Sequence, residues 1–206
     1  RHDQDVSGGS GYLAATLLEC DTDVGGRDGA WARALGDSLY TYWMPAPSKT
    51  RYRLSELCSM GCQRDSATAA WNRGPGICVA FGTSSNWLML SGFWNVCQTY
   101  FPWSVGQLAA TNRYPAVLGI SCGVTATDHP QLTACEDTYH TRPLAEQLLV
   151  GRSDAGASVI IGPTRNTYQY YDFLLGKHLL TRYYAGDHTW GEVFTRAMQA
   201  ALAEDP

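Results

Sequence analysis

The run Ala116-Val117-Leu118-Gly119-Ile120-Ser121-Cys122-Gly123 constrains this chain more than any other stretch. It is short, apolar and partly β-branched, with Pro115 before it and Gly123 at its end. That pattern predicts a buried strand rather than a helix segment, which would be longer. A parallel strand flanked by helices opens at its carboxyl end into the crevice where open α/β sheets bind ligands. Such a strand would deliver Cys122 to the place where chemistry is done. The competing reading is a structural cysteine, because free Cys is among the most buried residue types. The stretch by itself leaves the two readings level.

The rest of the chain supplies strands and helices in alternation. Residues 1–11 are polar and glycine-rich and read as a flexible lead-in, ahead of a single α/β domain over 12–206. A first apolar strand is expected over 12–19, followed by a loop with Cys20-Asp21-Thr22-Asp23 and Gly25-Gly26. Asp28 can cap a helix whose Trp31, Leu35 and Leu39 share one stripe. Pro45 and Pro47 predict an irregular connection over 40–49, then a short extended piece over 50–54. Asp65 or Ser66 is the expected cap of a helix over 67–73, stopped by Gly74 and Pro75, with a buried strand over 77–81 after it. Residues 82–86 read as a polar turn, and the aromatic-rich stretches 87–89 and 93–101 as core or crevice cover.

After the opening strand comes a polar loop over 123–140 that contains Asp128, His129, Glu136, Asp137 and His140. Loops of that length in compact domains are often functional. Thr141, with Pro143 in the first turn, starts a helix with Leu144 and Leu148 on one face, ended by Gly151. A further buried strand is expected over 157–162, then a helix over 167–184 with Tyr171, Leu174, Leu175, His178 and Leu179 on its apolar side. Thr189-Trp190-Gly191-Glu192 is a capping box that opens a last helix through Val193, Phe194 and Ala197. This order predicts a three-layer α/β/α sandwich around a mostly parallel sheet.

Composition narrows the partners. The net charge of −4, with only Lys49 and Lys177 as lysines and no basic cluster, excludes a nucleic-acid groove as the main surface. No apolar run is long enough for membrane insertion, and residues 1–10 lack signal-peptide character, so any leader is expected to be already removed. Gly8-Gly9-Ser10-Gly11 precedes a strand rather than opening a helix, so it is not a phosphate loop, and no Gly-x-Ser-x-Gly elbow occurs. The seven cysteines are Cys20, Cys58, Cys62, Cys78, Cys97, Cys122 and Cys135. In an oxidising compartment up to three disulfides would leave one thiol, for which Cys122 is the natural candidate; this favours a secreted, periplasmic or cell-surface protein. The Cys58-x3-Cys62 spacing is not a zinc knuckle. Calcium fits the residues 20–23 by ligand type only, since an EF-hand's glycine and distal Glu are missing; a solvated acidic loop is expected, and no cofactor is required.

The order of these pieces resembles the gingipain-type cysteine peptidases of the caspase-like clan. In that family a helix leads to a strand that runs into a His-Gly turn with a Trp just beyond, and a second strand ends in Cys. The pieces here are residues 67–73, residues 77–82, Trp87, and residues 116–122. The family then continues with a loop, a leucine-bearing helix and a strand that ends in a small, Arg-containing turn, as in Gly162-Pro163-Thr164-Arg165. The resemblance covers roughly residues 12–200 and implies a caspase-like fold, here the second of two subdomains of a longer precursor.

It also implies cysteine endopeptidase chemistry on a protein or peptide substrate, with Cys122 as nucleophile. A thiol near its reference pKa of about 8.5 is mostly protonated at neutral pH, and a neighbouring imidazolium lowers that value and supplies a proton to the leaving amine. Gly82 marks an oxyanion turn, a contribution of roughly 3 to 4 kcal/mol per donor in hydrolases. The chain departs from the family at one position: Phe81 stands where the family places His. Phe cannot carry a proton, so His129 or His140 would have to substitute, or the chain is an inactive pseudopeptidase that binds or scaffolds. A small-molecule acyl transferase using Cys122 is a third reading. A pocket for a basic substrate side chain would need a buried acid, and Asp128, Asp154 and Asp172 are equal candidates. Oligomeric state is left open.

Overall fold

The computed structural model of the protein describes residues 14–20, 29–44, 49–53, 60–82, 88–89, 94–95, 107–109, 113–120, 122, 125, 144–165, 167–187 and 189–205. The strands are β1 (Ala15–Cys20), β2 (Lys49–Arg53), β3 (Ile77–Gly82), β4 (Leu88–Met89), β5 (Trp94–Asn95), β6 (Ala116–Ile120) and β7 (Val159–Ile161). The helices are α1 (Gly29–Ser38), α2 (Met60–Asn72), α3 (Leu144–Val150), α4 (Gln169–Tyr184) and α5 (Trp190–Glu204).

Five strands form one sheet in the order β2-β1-β3-β6-β7, every neighbouring pair parallel. Side chains alternate across it. Leu17, Val79, Phe81, Leu118 and Ile120 face a cluster that includes Leu39 beyond α1, Phe173, Leu179 and Leu180 of α4, and Val193 and Ala197 of α5. Leu18, Cys78, Ala80 and Val117 face Ala67, Ala70 and Trp71 of α2 and Leu144 and Leu148 of α3. This is the three-layer α/β/α sandwich that the element order predicts. Each fully buried Val, Leu, Ile or Phe stabilises such a core by about 1.5 to 3 kcal/mol, and all six residues of β3 are buried.

Local chemistry explains the element ends. Gly74 stops α2 at a φ of +67°, with its N–H on the Trp71 carbonyl at 2.8 Å. The capping box is present at α5, with Thr189 and Glu192 bonded reciprocally, a feature worth about 1 kcal/mol. Residues 12–13 and the loop 21–28, with its aspartates, lie outside the described residues.

Several expectations are corrected. The helix before Pro45 does not end at Tyr40: Leu39–Trp43 form a π-turn, closed by Met44 N–H to Leu39 O at 3.1 Å. The wider turn brings both Leu39 and Met44 into the core. Helix α2 starts at Met60, so Asp65 and Ser66 lie in its interior, where their intrinsic cost is only a few tenths of a kcal/mol. Strand β7 is half-buried because it is a sheet edge. Tyr171 and Phe194 are exposed; Leu174 and Leu179 are buried on α4 as expected, with Phe173 and Leu180 buried beside them. The segment around Trp94 contributes a small antiparallel pair, β4 with β5. Cys78 is free as well as Cys122, so three disulfides cannot be drawn from seven cysteines.

Candidate active site

The chain steps from β1 outward to β2 and then back past β1 to β3, so the sheet's switch point lies between β1 and β3. Open α/β sheets place their ligands at the carboxyl ends beside such a point. The last full row of side chains there, read across the strands, is Arg53, Glu19, Phe81 and Ile120. Cys122 follows two residues after Ile120, in a turn, and is half-buried.

Each member of that row has a distinct environment. Phe81 is completely buried in the apolar cluster. The next residue, Gly82, has a φ of +149°, a backbone that side chains rarely adopt, so the turn out of β3 requires glycine. Glu19 is also completely buried. Its Oε2 accepts from Arg51 Nε at 2.8 Å and from Arg51 Nη2, and lies 3.9 Å from Arg53 Nε. Asp37 Oδ1 accepts from both Arg51 and Arg53, and the Arg51 hydrogen bond holds its carboxyl below the usual range. This network was not read from the sequence. Its signals were present: a Glu at the end of an apolar strand, and arginines alternating on β2.

The Cys122 thiol donates to the carbonyl oxygen of Thr167 at 3.4 Å. Three residues on, Thr125 donates through its hydroxyl to Gly162 O at 2.7 Å and through its N–H to Pro163 O at 3.1 Å. The turn after β6 is therefore fastened to the exit from β7. Behind it lies a cavity of about 10 Å³, room for a single water, lined by Ile120, Ile161, Pro163 and Leu175 with Asp172 as its acid. Gly176 makes this packing close, because a Cβ there would collide with the Ile120 side chain.

Of the three acids considered for a pocket, Asp172 is the buried one, Asp154 pairs at the surface with Arg152, and Asp128 lies outside the described residues. Burial pushes the Asp172 carboxyl up to about 6, against the opposing hydrogen bond from the Thr167 hydroxyl. A raised acid pKa means that the fold prefers the neutral form. Its stability is therefore greatest below the ordinary value near 3.8 and falls as pH rises through about 6. Asp172→Asn keeps an acceptor for Thr167 and removes the charge. Urea unfolding should show it equal to the wild type at pH 4 and more stable by about 1 to 3 kcal/mol at pH 7; a pH-independent difference would contradict this.

His129 and His140 lie outside the described residues, as do Trp87 and the turn 83–86. His178 is on α4, bonded through Nε2 to Glu204 Oε2 at 2.9 Å. Burial pushes the Cys78 thiol up, which makes it an inert core thiol. No group of side chains fit to hold a metal occurs among the described residues, and no helix among them is long and apolar enough to cross a membrane.

No curated protein matches the chain. The structure of the Arg specific cysteine proteinase gingipain R (RgpB) superposes with a TM-score of 0.63 at 15% identity, covering 95% of this chain and 43% of that one. The complex of Porphyromonas gingivalis RgpB pro- and mature domains gives 0.59 at 16% identity, covering 94% and 44%. The chain thus spans less than half the length of either structure and shares their caspase-like fold. The model of peptidase family C25 matches residues 38–205, most of the chain, from the π-turn to the end of the last helix, and the chain belongs to that family.

Proposed function

We propose that this chain is a cysteine-peptidase-type domain in which Cys122 is the nucleophile toward the carbonyl of a peptide bond, with turnover limited by Phe81. The observation that carries the reading is the position of Cys122, half-exposed in the turn beyond the carboxyl end of β6, one strand from the sheet's switch point. The sulfur attacks the carbonyl carbon, the leaving amine takes a proton, and water releases the acid from the thioester. Gly82 at its glycine-only turn is a source of backbone donors for the oxyanion. His129 or His140 is the substitute base, since Phe81 offers none. The domain acts as the second subdomain of a longer secreted or cell-surface precursor, on a protein or peptide substrate.

Complete burial of Phe81 favours one second reading, a pseudopeptidase that binds peptides without cutting them. A fluorogenic peptide library incubated with the wild type and with Cys122→Ala separates the two. Weak hydrolysis that disappears in Cys122→Ala supports the peptidase. Equal product in both proteins overturns it, and binding by fluorescence anisotropy without cleavage assigns the pseudopeptidase.

A further inference from the structure

Two hydrogen bonds run in series behind Cys122, and peptide hydrolysis as described uses neither. The thiol donates to Thr167 O at 3.4 Å, and the Thr167 hydroxyl donates to Asp172 Oδ2. We propose that Thr167 and Asp172 form a latch that positions the Cys122 thiol: the buried carboxyl fixes Thr167 through its hydroxyl, and the Thr167 carbonyl fixes the sulfur. The proposal rests on the reading of Cys122 as the reacting thiol.

Thr167 needs such an anchor. It precedes Tyr168, the N-cap of α4, which is 80% exposed and makes no side-chain cap bond. Asp172 supplies the anchor from inside the first turn of the helix, 6% exposed, at the cavity that β6 and β7 share with α4. Keeping a carboxyl among apolar walls costs free energy unless it is bonded, and the Thr167 hydroxyl is its side-chain partner. The walls are apolar on every side: Leu118 and Ile120 from β6, Ile161 from β7, Leu175 and Leu179 from α4. Among the described residues that line the cavity, Asp172 is the only titratable one. Packing at Gly176 against Ile120 sets the distance between α4 and β6, so the carboxyl is placed by backbone rather than by a mobile side chain.

Thr125 fastens the turn after β6 independently to the exit from β7, at Gly162 and Pro163, and the latch adds the contact to Thr167 that reaches the sulfur. Only a protonated thiol can donate to a carbonyl. The latch therefore holds the resting thiol, and a substrate carbonyl that reaches Sγ displaces Thr167 O.

The test is site-resolved alkylation of the whole chain by iodoacetamide at pH 7.5, with each cysteine quantified by peptide mass mapping. Cys78, fully buried and free, is the internal control for folding. Thr167→Val and Asp172→Ala should each alkylate Cys122 about fivefold faster than the wild type, the factor expected for one lost hydrogen bond, while Cys78 stays protected. Thr167→Ser, which keeps the hydroxyl, should stay within about twofold of the wild type. Wild-type rates at Cys122 in both disrupted variants, with Cys78 protected, would overturn the latch. If either disrupted variant exposes Cys78, the other decides, and a fivefold rise in Thr167→Ser overturns the latch in any case. Absence of peptide hydrolysis in the wild type, with the alkylation pattern intact, would defeat the peptidase reading and leave the latch standing.

Discussion

Phe81→His should raise Cys122-dependent peptide hydrolysis about 10²- to 10⁴-fold over the wild type, the usual contribution of a positioned general base. The geometry is already laid out. Residue 81 pairs in register with Glu19 on one side and with Ile120 on the other, and Cys122 follows Ile120 by two residues. An imidazole at this position has a buried carboxylate beside it to orient one nitrogen and the thiol-bearing turn on the other side. That is the nucleophile, base and orienting-acid logic of hydrolases in general. Imidazole is smaller than phenyl and polar, so some stability is lost at a site with no solvent exposure. The measurement is kcat/KM of the wild type, Phe81→His and the Phe81→His, Cys122→Ala double variant on one fluorogenic peptide. Activity that survives in the double variant, or no gain in a folded Phe81→His, would show that residue 81 is not the base position.

Glu19→Ala should cost the fold about 3 to 5 kcal/mol, the range for breaking a buried ion pair by removing one partner. For a chain of this size that is roughly 6 to 20 °C in Tm. Glu19 is fully buried and Arg51 nearly so, with 14% of its side chain exposed. Deleting the carboxylate leaves a guanidinium under the sheet edge with the half-exposed Asp37 as its remaining acid among the described residues. The contrast is with Lys177 and Glu204 on the helical face, where Glu204 is 41% exposed. Glu204→Ala should leave stability close to that of the wild type, because exposed pairs gain little against water. Thermal and urea unfolding of both variants checks the pair of values. A loss below about 1 kcal/mol for Glu19→Ala would mean that water reaches the arginines.

Much of the scaffold was legible in single residues. Gly74 announced the end of a helix because its position demands a positive φ. The Thr189 capping box named the start of α5 because both of its bonds are local in sequence. Strands β3 and β6 were readable as short apolar runs between breakers. The errors arose where tertiary context overrode a local signal. Residues 40–43 stayed helical because a π-turn buries Leu39 and Met44, a gain that no propensity records. Phe194 looked inward by period but is exposed, since Val193 and Ala197 are the buried residues of α5 and Trp190 packs beside them.

The candidate site divides the same way. Cys122 and the departure at Phe81 are visible in the sequence, because an apolar run that ends in Cys-Gly and another that ends in Phe-Gly are one-dimensional patterns. Belonging to a peptidase family follows from their order. Glu19 beside Phe81, and Asp172 behind Thr167 and Cys122, were decided only by the tertiary structure. They join residues 62 and 50 positions apart, respectively, and nothing local couples such positions. The register of a parallel sheet and the close seat of α4 on β6 bring them together, and burial then gives their carboxyls a chemical meaning that their letters do not carry.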